Sequence, residues 1–240
     1  NVLGSGHMGK QICSLFVVLG HEVNIWQNSK ENLDILLKKE ISKLEKHFDI
    51  NSRGRYIITT EISKLQENFT VETVKEDLEI KKKVISKLNY NSNIFSNTSS
   101  LLLSEIGPNI NALHFMNPIS VPIIELCKKN NYSENQLKEL ITSLENISYN
   151  IIEVSDKSGF LVNRILFKNI SYFFYLYEVE KISIKNLKQI YKNLSNNSDP
   201  IKLVNMIGLD TTLSILKNLN KVDKSYYIPS IIEQSVKNNI

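Results

Sequence analysis

The residues of this chain that are best suited to proton transfer lie near its middle. His114 stands in an apolar segment at residues 111–116, which ends at Asn117, and Ser99 follows an earlier apolar segment. A histidine titrates near neutral pH, so it can take a proton from a hydroxyl group and return it. These side chains predict general acid/base chemistry on a hydroxyl or carbonyl group. The alternatives are helix capping for Ser99 and a hydrogen-bonded core position for His114.

A carboxylate follows in the next apolar segment, which spans residues 121–126 and contains Glu125. Burying such a group without a partner is costly. His114 is the predicted partner, because a carboxylate at one imidazole nitrogen fixes the tautomer and stabilises the imidazolium ion. A structural ion pair between Glu125 and a lysine is the alternative.

A glycine-rich segment that is typical of dinucleotide binding stands at the start of the chain. Gly4, Gly6 and Gly9 form the pattern G-x-G-x-x-G between a short apolar strand and an apolar helical stretch. The first glycine permits a tight turn, the second lets a pyrophosphate approach the backbone, and the third packs the helix on the strand. The helix N-terminus offers N–H donors to phosphates, which brings His7 and Met8 into the predicted site. The alternative is a strand, turn and helix that use glycine only for geometry.

The residue after the second predicted strand bears on the choice of cofactor. Residues 22–26 alternate in polarity like a strand, and Gln27 follows where the motif usually carries Asp or Glu for the adenosine ribose. Glutamine can bond a ribose hydroxyl, but it does not repel a 2′-phosphate, and Lys30 stands nearby. The sequence therefore favours NAD and leaves NADP open.

The elements that must position these residues alternate between helices and strands. Apolar positions at helical spacing predict helices at residues 31–48, 77–88 and 133–144. Short apolar runs predict further strands at residues 56–60, 69–74, 93–96, 111–116, 121–126 and 150–154. This alternation predicts a Rossmann-type α/β fold with a mostly parallel sheet, in which ligands bind beyond the carboxyl ends of the strands.

The last third of the chain is predicted to be entirely helical. Residues 160–177 form a long apolar run rich in phenylalanine and tyrosine. Further helices are predicted to begin near Ser183, Asp199 and Asp210. We place the domain boundary in the polar turn at 155–158, which gives a dinucleotide-binding domain at 1–155 and a helical domain at 156–240.

Composition excludes several functional classes. The net charge is +4, and lysines are interspersed with glutamates, which argues against nucleic-acid or membrane-surface binding. No apolar run approaches the ~20 residues that span a bilayer. Cys13 and Cys127 both lie in apolar segments, which predicts buried free thiols and no metal site. We predict a cytoplasmic enzyme, with an organellar matrix as the alternative because the chain begins without methionine.

Five motifs give the chain a family resemblance. They are residues 4–9, 97–100, 114–118, 158–164 and 208–211. In this order they resemble the short-chain L-3-hydroxyacyl-CoA dehydrogenases, which include the 3-hydroxybutyryl-CoA dehydrogenases, over nearly the whole chain. The resemblance implies an oxidoreductase that interconverts a 3-hydroxyacyl thioester and its 3-oxo form with NAD. It also implies a homodimer formed through the helical domain.

The resemblance implies a role for each matching residue. The position of His114 is the general base and that of Glu125 its partner. The position of Ser99 contacts the substrate, and that of Asn163 supports the site from the helical domain. The predicted cofactor-binding residues are Gly4, Gly6, His7, Met8, Gly9, Gln27, Glu72, Asn97 and Asn117, of which Glu72 and Asn117 line the nicotinamide side.

Some features depart from the family pattern. Gln27 replaces the ribose-binding acid. A motif of the helical domain that is rich in glycine and proline in the family is reduced here to residues 197–200. The step from His114 to Glu125 is 11 residues, one shorter than usual, and a slip of one residue reverses the face of a strand side chain. These departures leave two alternatives open. One is an enzyme for a carrier-bound acyl group or a free hydroxy acid, and the other is a dinucleotide-binding relative with little turnover.

Overall fold

The computed structural model describes residues 1–28, 32–51, 53–194 and 199–238. The chain forms two compact units, Asn1–Asp156 and Lys157–Ile240. The first unit contains a sheet with helices, and the second contains helices. Lys30 and residues 197 and 198 of the reduced motif lie outside the described residues.

The first unit is built on eight strands. They are β1 (Val2–Leu3), β2 (Glu22–Trp26), β3 (Arg55–Thr59), β4 (Thr70–Glu72), β5 (Ile94–Ser96), β6 (Ile110–Phe115), β7 (Ile123–Cys127) and β8 (Asn150–Glu153). The helices between them are α1 (His7–Val18), α2 (Leu33–Phe48), α3 (Leu78–Ile85), α4 (Leu103–Ile106) and α5 (Glu134–Glu145), with a short 3-10 helix at Ile62–Lys64. The predicted Rossmann-type sheet is confirmed, and the predicted elements differ from the observed ones mainly at their ends.

The strand order creates a crevice at one edge of the sheet. The order is β3-β2-β1-β4-β5-β6-β7-β8, and β7 is antiparallel to β6 while the other pairs are parallel. The chain moves outward from β1 to β3 and then returns to the opposite side of β1 at β4. Ligands bind at such a reversal, beyond the carboxyl ends of the strands. The loops after β1, β4, β5 and β6 therefore share one crevice.

Alternation along the strands provides apolar side chains to both faces of the sheet. Val2 and Ile25 face a core shared with α1, α2 and α5. The neighbouring residues Leu3 and Trp26 face a smaller core that includes Val84 of α3. Because helices cover both faces, strands of this parallel sheet are apolar along most of their length.

Short polar side chains begin two of these helices as the sequence predicts. The Asp77 carboxylate accepts the N–H of Ile80 at 3.0 Å, and Ser133 accepts the N–H of Gln136 at 3.4 Å. Each bond satisfies an amide that has no partner within its helix.

The second unit is helical in the part of it that the structure describes. Its helices are α6 (Val162–Glu178), α7 (Ile184–Leu194), α8 (Pro200–Ile207), α9 (Leu209–Val222) and α10 (Ser230–Lys237). Phe167, Ile170 and Phe173 of α6 are buried in its core, so the aromatic run serves packing. The sequence analysis did not predict α10, which the Glu178 carboxylate anchors by accepting the N–H groups of Ser230 and Ile231.

The described residues contain no helix that could span a membrane, no metal-binding cluster and no reactive cysteine. None of the helices in these ranges combines the length and the apolar character that crossing a membrane requires. The same ranges contain no cluster of three or more His, Cys, Asp or Glu side chains that could hold a metal ion. Cys13 and Cys127 are buried free thiols, and burial raises the pKa of both, which makes them poor nucleophiles.

Candidate active site

The glycine loop joins β1 to α1. Its first and third glycines are closely surrounded by protein, and its second glycine is open. Gly4 has a φ of +112°, a conformation that favours glycine. A Cβ atom on Gly9 would lie 1.9 Å from the Gly4 carbonyl oxygen, whereas a Cβ on Gly6 would meet nothing within 4 Å. Gly9 therefore permits close packing of the helix on the loop. Gly6 leaves the backbone open to a phosphate at the N-terminus of α1.

His114 and Glu125 lie directly opposite each other on the antiparallel strands β6 and β7. Both side chains are buried, and His114 Nδ1 is 2.7 Å from Glu125 Oε2. Opposed residues of an antiparallel pair project to the same face. The connection between the strands thus absorbs the shorter step, and Glu125 is not turned away. The pair leaves Nε2 as the nitrogen that would exchange a proton with a substrate.

A carboxylate that the sequence analysis missed organises the turn at Ser99. Glu76 Oε1 accepts the N–H groups of Ser99 and Ser100 at 2.8 and 2.9 Å and the Thr98 hydroxyl at 2.7 Å. Ser99 does not cap α4, because Asp156 accepts the first N–H groups of that helix. The Ser99 hydroxyl also donates to Glu76 Oε1, at 3.3 Å, so Glu76 fixes both the backbone of the turn and the position of this hydroxyl.

The charge of Glu76 depends on its surroundings. Burial, the largest influence, raises its pKa, but the charge of Lys81 and the hydrogen bonds from the Ser99 turn together outweigh it and lower the pKa. A carboxylate with a lowered pKa stabilises the fold above its ordinary pKa of 4.5. That contribution is lost as the pH falls through the lowered value, so the turn is held firmly at neutral pH.

A buried ion pair lies directly behind this turn. Glu72 and Lys81 are 0% and 1% exposed, and Lys81 Nζ is 2.9 Å and 3.0 Å from the two carboxylate oxygens of Glu72. The Ser96 hydroxyl donates to Glu72 at 2.6 Å, and Lys81 is also 3.3 Å from Glu76. The predicted place of Glu72 on the nicotinamide side is therefore wrong, because its carboxylate is enclosed by protein. Glu76 is the carboxylate that reaches the turn.

Two asparagines of the predicted site connect neighbouring loops. Asn97 Oδ1 accepts the N–H of Phe115 at 2.8 Å and so ties the end of β5 to the end of β6. Asn117 Oδ1 is 3.1 Å from His7 Nε2, which brings the glycine loop and the segment after β6 together. Asn163 is the second residue of α6 and lies in the second unit.

Two family models divide the chain between them. The model described as 3-hydroxyacyl-CoA dehydrogenase, NAD binding domain, matches residues 1–157, and the corresponding C-terminal domain matches residues 159–239. The chain belongs to the 3-hydroxyacyl-CoA dehydrogenase family. The family expectation from the five motifs is thereby confirmed, with NAD as the family's cofactor.

Individual relatives agree with this assignment. The 3-hydroxybutyryl-CoA dehydrogenase of Clostridioides difficile is 27% identical over 246 residues, a match that covers 91% of this chain and 85% of the relative. The mitochondrial hydroxyacyl-coenzyme A dehydrogenase of Homo sapiens is 26% identical, and the match covers 92% of this chain and 80% of the relative. The crystal structure of (S)-3-hydroxybutyryl-CoA dehydrogenase PaaH1 from Ralstonia eutropha superposes with a TM-score of 0.80 at 22% identity, covering 99% of this chain and 93% of that one. This last likeness supports the fold.

The crevice of this family member fits NAD. Gly6 leaves room for a pyrophosphate beside the N-terminus of α1. At the end of β2, the side-chain oxygen of Gln27 is buried and has no hydrogen-bond partner among the described residues. A buried acceptor without a partner is costly, and a ribose hydroxyl is a donor that would satisfy it. These residues would hold the phosphates and the adenosine ribose of the cofactor.

Replacing Gln27 by aspartate should sharpen the preference for NADH. An aspartate accepts ribose hydroxyls but repels a 2′-phosphate, so the ratio of kcat/KM for NADH over NADPH should rise about tenfold. The ratio is measured from nicotinamide absorbance with either cofactor. Asn28→Asp, which adds the same charge at the exposed neighbouring position, should change the ratio less. An unchanged ratio in Gln27→Asp would remove this residue from the cofactor site.

Proposed function

We propose that this chain is an NAD-dependent 3-hydroxyacyl-CoA dehydrogenase that interconverts a 3-hydroxyacyl thioester and its 3-oxo form. The observation that carries the proposal is the buried contact of 2.7 Å between His114 and Glu125, at the edge of the sheet where the cofactor crevice opens. It provides an imidazole with a fixed orientation and a neighbouring negative charge. The compartment stays a prediction, cytoplasmic with an organellar matrix as the alternative.

In the oxidative direction His114 takes the proton of the 3-hydroxyl group at Nε2. Glu125 stabilises the imidazolium ion that forms, and in the reverse direction the same nitrogen returns the proton. The Ser99 hydroxyl orients a substrate oxygen from a turn that Glu76 holds in place. When bound, NAD would supply the acceptor for the hydride that leaves C3 of the substrate. The role of Asn163 stays the prediction from the family resemblance, which is support of the site from the helical domain.

A basic cavity supports coenzyme A as the handle of the substrate. It has a volume of about 660 Å³ and lies between α2 and residues 118–120, which follow Asn117 directly. Its wall carries three lysines, Lys39, Lys43 and Lys46, together with His47. Coenzyme A carries several phosphate charges, and a cluster of lysines attracts them. A free hydroxy acid would leave this cavity without a counterpart.

The reaction is tested by following NADH absorbance with acetoacetyl-CoA and with acetoacetyl-N-acetylcysteamine, a thioester that lacks the phosphates. We expect NADH oxidation with both, and a much lower KM for the CoA thioester. Lys43→Glu should raise KM for acetoacetyl-CoA about three- to tenfold, because repulsion replaces attraction, with little change in kcat. It should leave the truncated thioester unaffected, since only ground-state binding of the handle is lost.

Lys38→Glu is the matched control, because Lys38 lies on the same helix outside the cavity wall and is paired with Asp34. It should change neither KM. NADH binding without oxidation by acetoacetyl-CoA would overturn the proposed reaction. An equal effect of Lys43→Glu on both thioesters would contradict the assignment of the cavity to coenzyme A and favour the carrier-bound or free-acid alternatives.

We further propose that two copies of the chain associate through the helical unit. An apolar groove of about 640 Å³ is lined by residues of α6, α7 and α8. Ile165, Tyr172 and Ile190 in its wall are 58%, 55% and 49% exposed. Large contiguous apolar surfaces of this kind mark interfaces. The homodimer that the family resemblance implies would cover the groove with the same surface of a second copy.

Placing a charge in this groove should separate the dimer. Tyr172→Asp should shift the mass measured by light scattering at micromolar concentration from two chains to one, because a carboxylate at a buried interface loses its water without gaining a partner. Val222→Asp, at an exposed apolar residue of α9 outside the groove wall, should remain dimeric. A wild-type protein with the mass of a single chain would contradict the proposal.

A further inference from the structure

Two residues of α1 reach the segment that follows β6. His7 and Gln11 are four residues apart, so they lie on the same face of the helix. Gln11 is only 5% exposed, and its side-chain carbonyl accepts the N–H of Ile119 at 2.9 Å. The helix that begins at the phosphate loop is thereby bonded to the backbone two residues beyond Asn117.

The bond to Ile119 fixes the orientation of the Gln11 amide, because a backbone N–H only donates and needs the carbonyl end as its acceptor. The Tyr149 hydroxyl donates to the Ile119 carbonyl and so also holds this residue. Because the carbonyl end of the Gln11 amide faces Ile119, its amino end faces His7, whose Nε2 is 2.8 Å away. An amino group only donates, so His7 Nε2 is the acceptor in this contact.

The same nitrogen also faces Asn117. The Asn117 Oδ1 atom is 3.1 Å from His7 Nε2, so Nε2 stands between a donor on Gln11 and an acceptor on Asn117. Without a proton, Nε2 accepts from Gln11, and with a proton it donates to Asn117. One nitrogen makes one of these bonds at a time. With a proton on Nε2 the imidazole joins α1 to the segment after His114, and without one the bond from the Ile119 N–H to Gln11 still joins them.

We propose that His7 and Gln11 form a clamp between the glycine loop and residues 117–119, and that His7 is a positioning residue that holds Asn117 for the cofactor. The inference deepens the proposed function, since it takes Asn117 as part of the nicotinamide side. His7 is exposed, so the fold does not depend on its burial. What the clamp supplies is a fixed spacing between the phosphate-binding and nicotinamide-binding ends of the crevice. This order lowers the entropy lost when a dinucleotide binds.

The clamp is tested by a double-mutant cycle on NADH binding, read from the fluorescence of the bound nucleotide. His7→Leu and Asn117→Ala should each raise the dissociation constant roughly three- to tenfold, as expected for one hydrogen bond. The double variant should be no weaker than the weaker single variant, because both changes remove the same contact. Asn135→Leu, at an exposed first-turn position of α5, is the control and should leave binding unchanged.

A second readout needs neither cofactor nor turnover. The imidazole nitrogen resonances of His7 in the apo protein should shift in Asn117→Ala and stay in place in Asn135→Leu. Two results would overturn the clamp. One is a double variant whose dissociation constant rises by the product of the two single effects, and the other is a His7→Leu variant with wild-type affinity. A wild-type protein that binds NADH but does not reduce acetoacetyl-CoA would overturn the proposed reaction instead, and the binding cycle would still decide the clamp.

Discussion

Replacing His114 by alanine should lower kcat for acetoacetyl-CoA reduction by roughly 10²- to 10⁴-fold, the usual contribution of a general acid/base. NADH affinity should stay within about twofold, because the cofactor is held mainly by the glycine loop and the helix N-terminus. The effect is large because water must then supply the proton at a buried position. Steady-state absorbance gives kcat, and NADH fluorescence gives the affinity.

Glu125→Gln separates the charge of the partner from its hydrogen bond. Glutamine retains an acceptor for His114 Nδ1, but it no longer stabilises the imidazolium ion. We expect kcat to fall less than in His114→Ala and its pH profile to move. His21→Ala, which removes a histidine directly before β2, should retain wild-type kcat. A His114→Ala variant with unchanged kcat would exclude this residue as the proton carrier.

The parts of the site that sequence predicts are those set by local spacing. The glycine loop follows from three glycines between a strand and a helix. The contact between His114 and Glu125 was predicted because two consecutive apolar strands each carry a single ionisable residue, and neighbouring strands bring such residues together. The shorter step between them is a departure that the connection between the strands absorbs, because His114 and Glu125 still lie opposite each other.

The parts that sequence does not reveal depend on contacts across the sheet. Glu72 and Glu76 both lie near the end of β4, and the family resemblance predicts Glu72 on the nicotinamide side. In the structure Glu72 is buried because it lies within the strand. Glu76 lies beyond the end of the strand, and its carboxylate reaches the Ser99 turn. The bond from Gln11 to Ile119 joins residues 108 positions apart, and no local pattern indicates it.

Lys81 shows a signal that the sequence did contain. It lies three residues from both Leu78 and Val84, which places it on the inward stripe of α3 instead of the solvent face of Lys82 and Lys83. A lysine at such a position requires a buried carboxylate as its partner. Three lysines stand side by side in this helix, so composition alone does not distinguish Lys81 from the two exposed ones.

Lys81→Met should therefore destabilise the sheet unit by about 3–5 kcal/mol, because it leaves the carboxylate of Glu72 buried without a counter-charge. The ion pair itself contributes little, since burying two charges costs nearly as much as their attraction returns. Adding Glu72→Gln to Lys81→Met removes the uncompensated charge, and the double variant should recover much of the loss. That recovery distinguishes an unpaired charge from a packing defect.

The chain's single tryptophan makes this measurement specific to the sheet unit, on the face that α3 covers. Trp26 is buried in the same small core as Val84 of α3, so its fluorescence during urea unfolding reports on the face of the sheet that carries Lys81. Lys82→Met, on the solvent side of the same helix and paired with Glu79 at the surface, should change the unfolding free energy by less than about 0.5 kcal/mol. Protein concentration is kept constant, because association would raise the apparent stability. If Lys81→Met unfolds at the wild-type urea midpoint, the buried carboxylate of Glu72 does not depend on this lysine for its counter-charge.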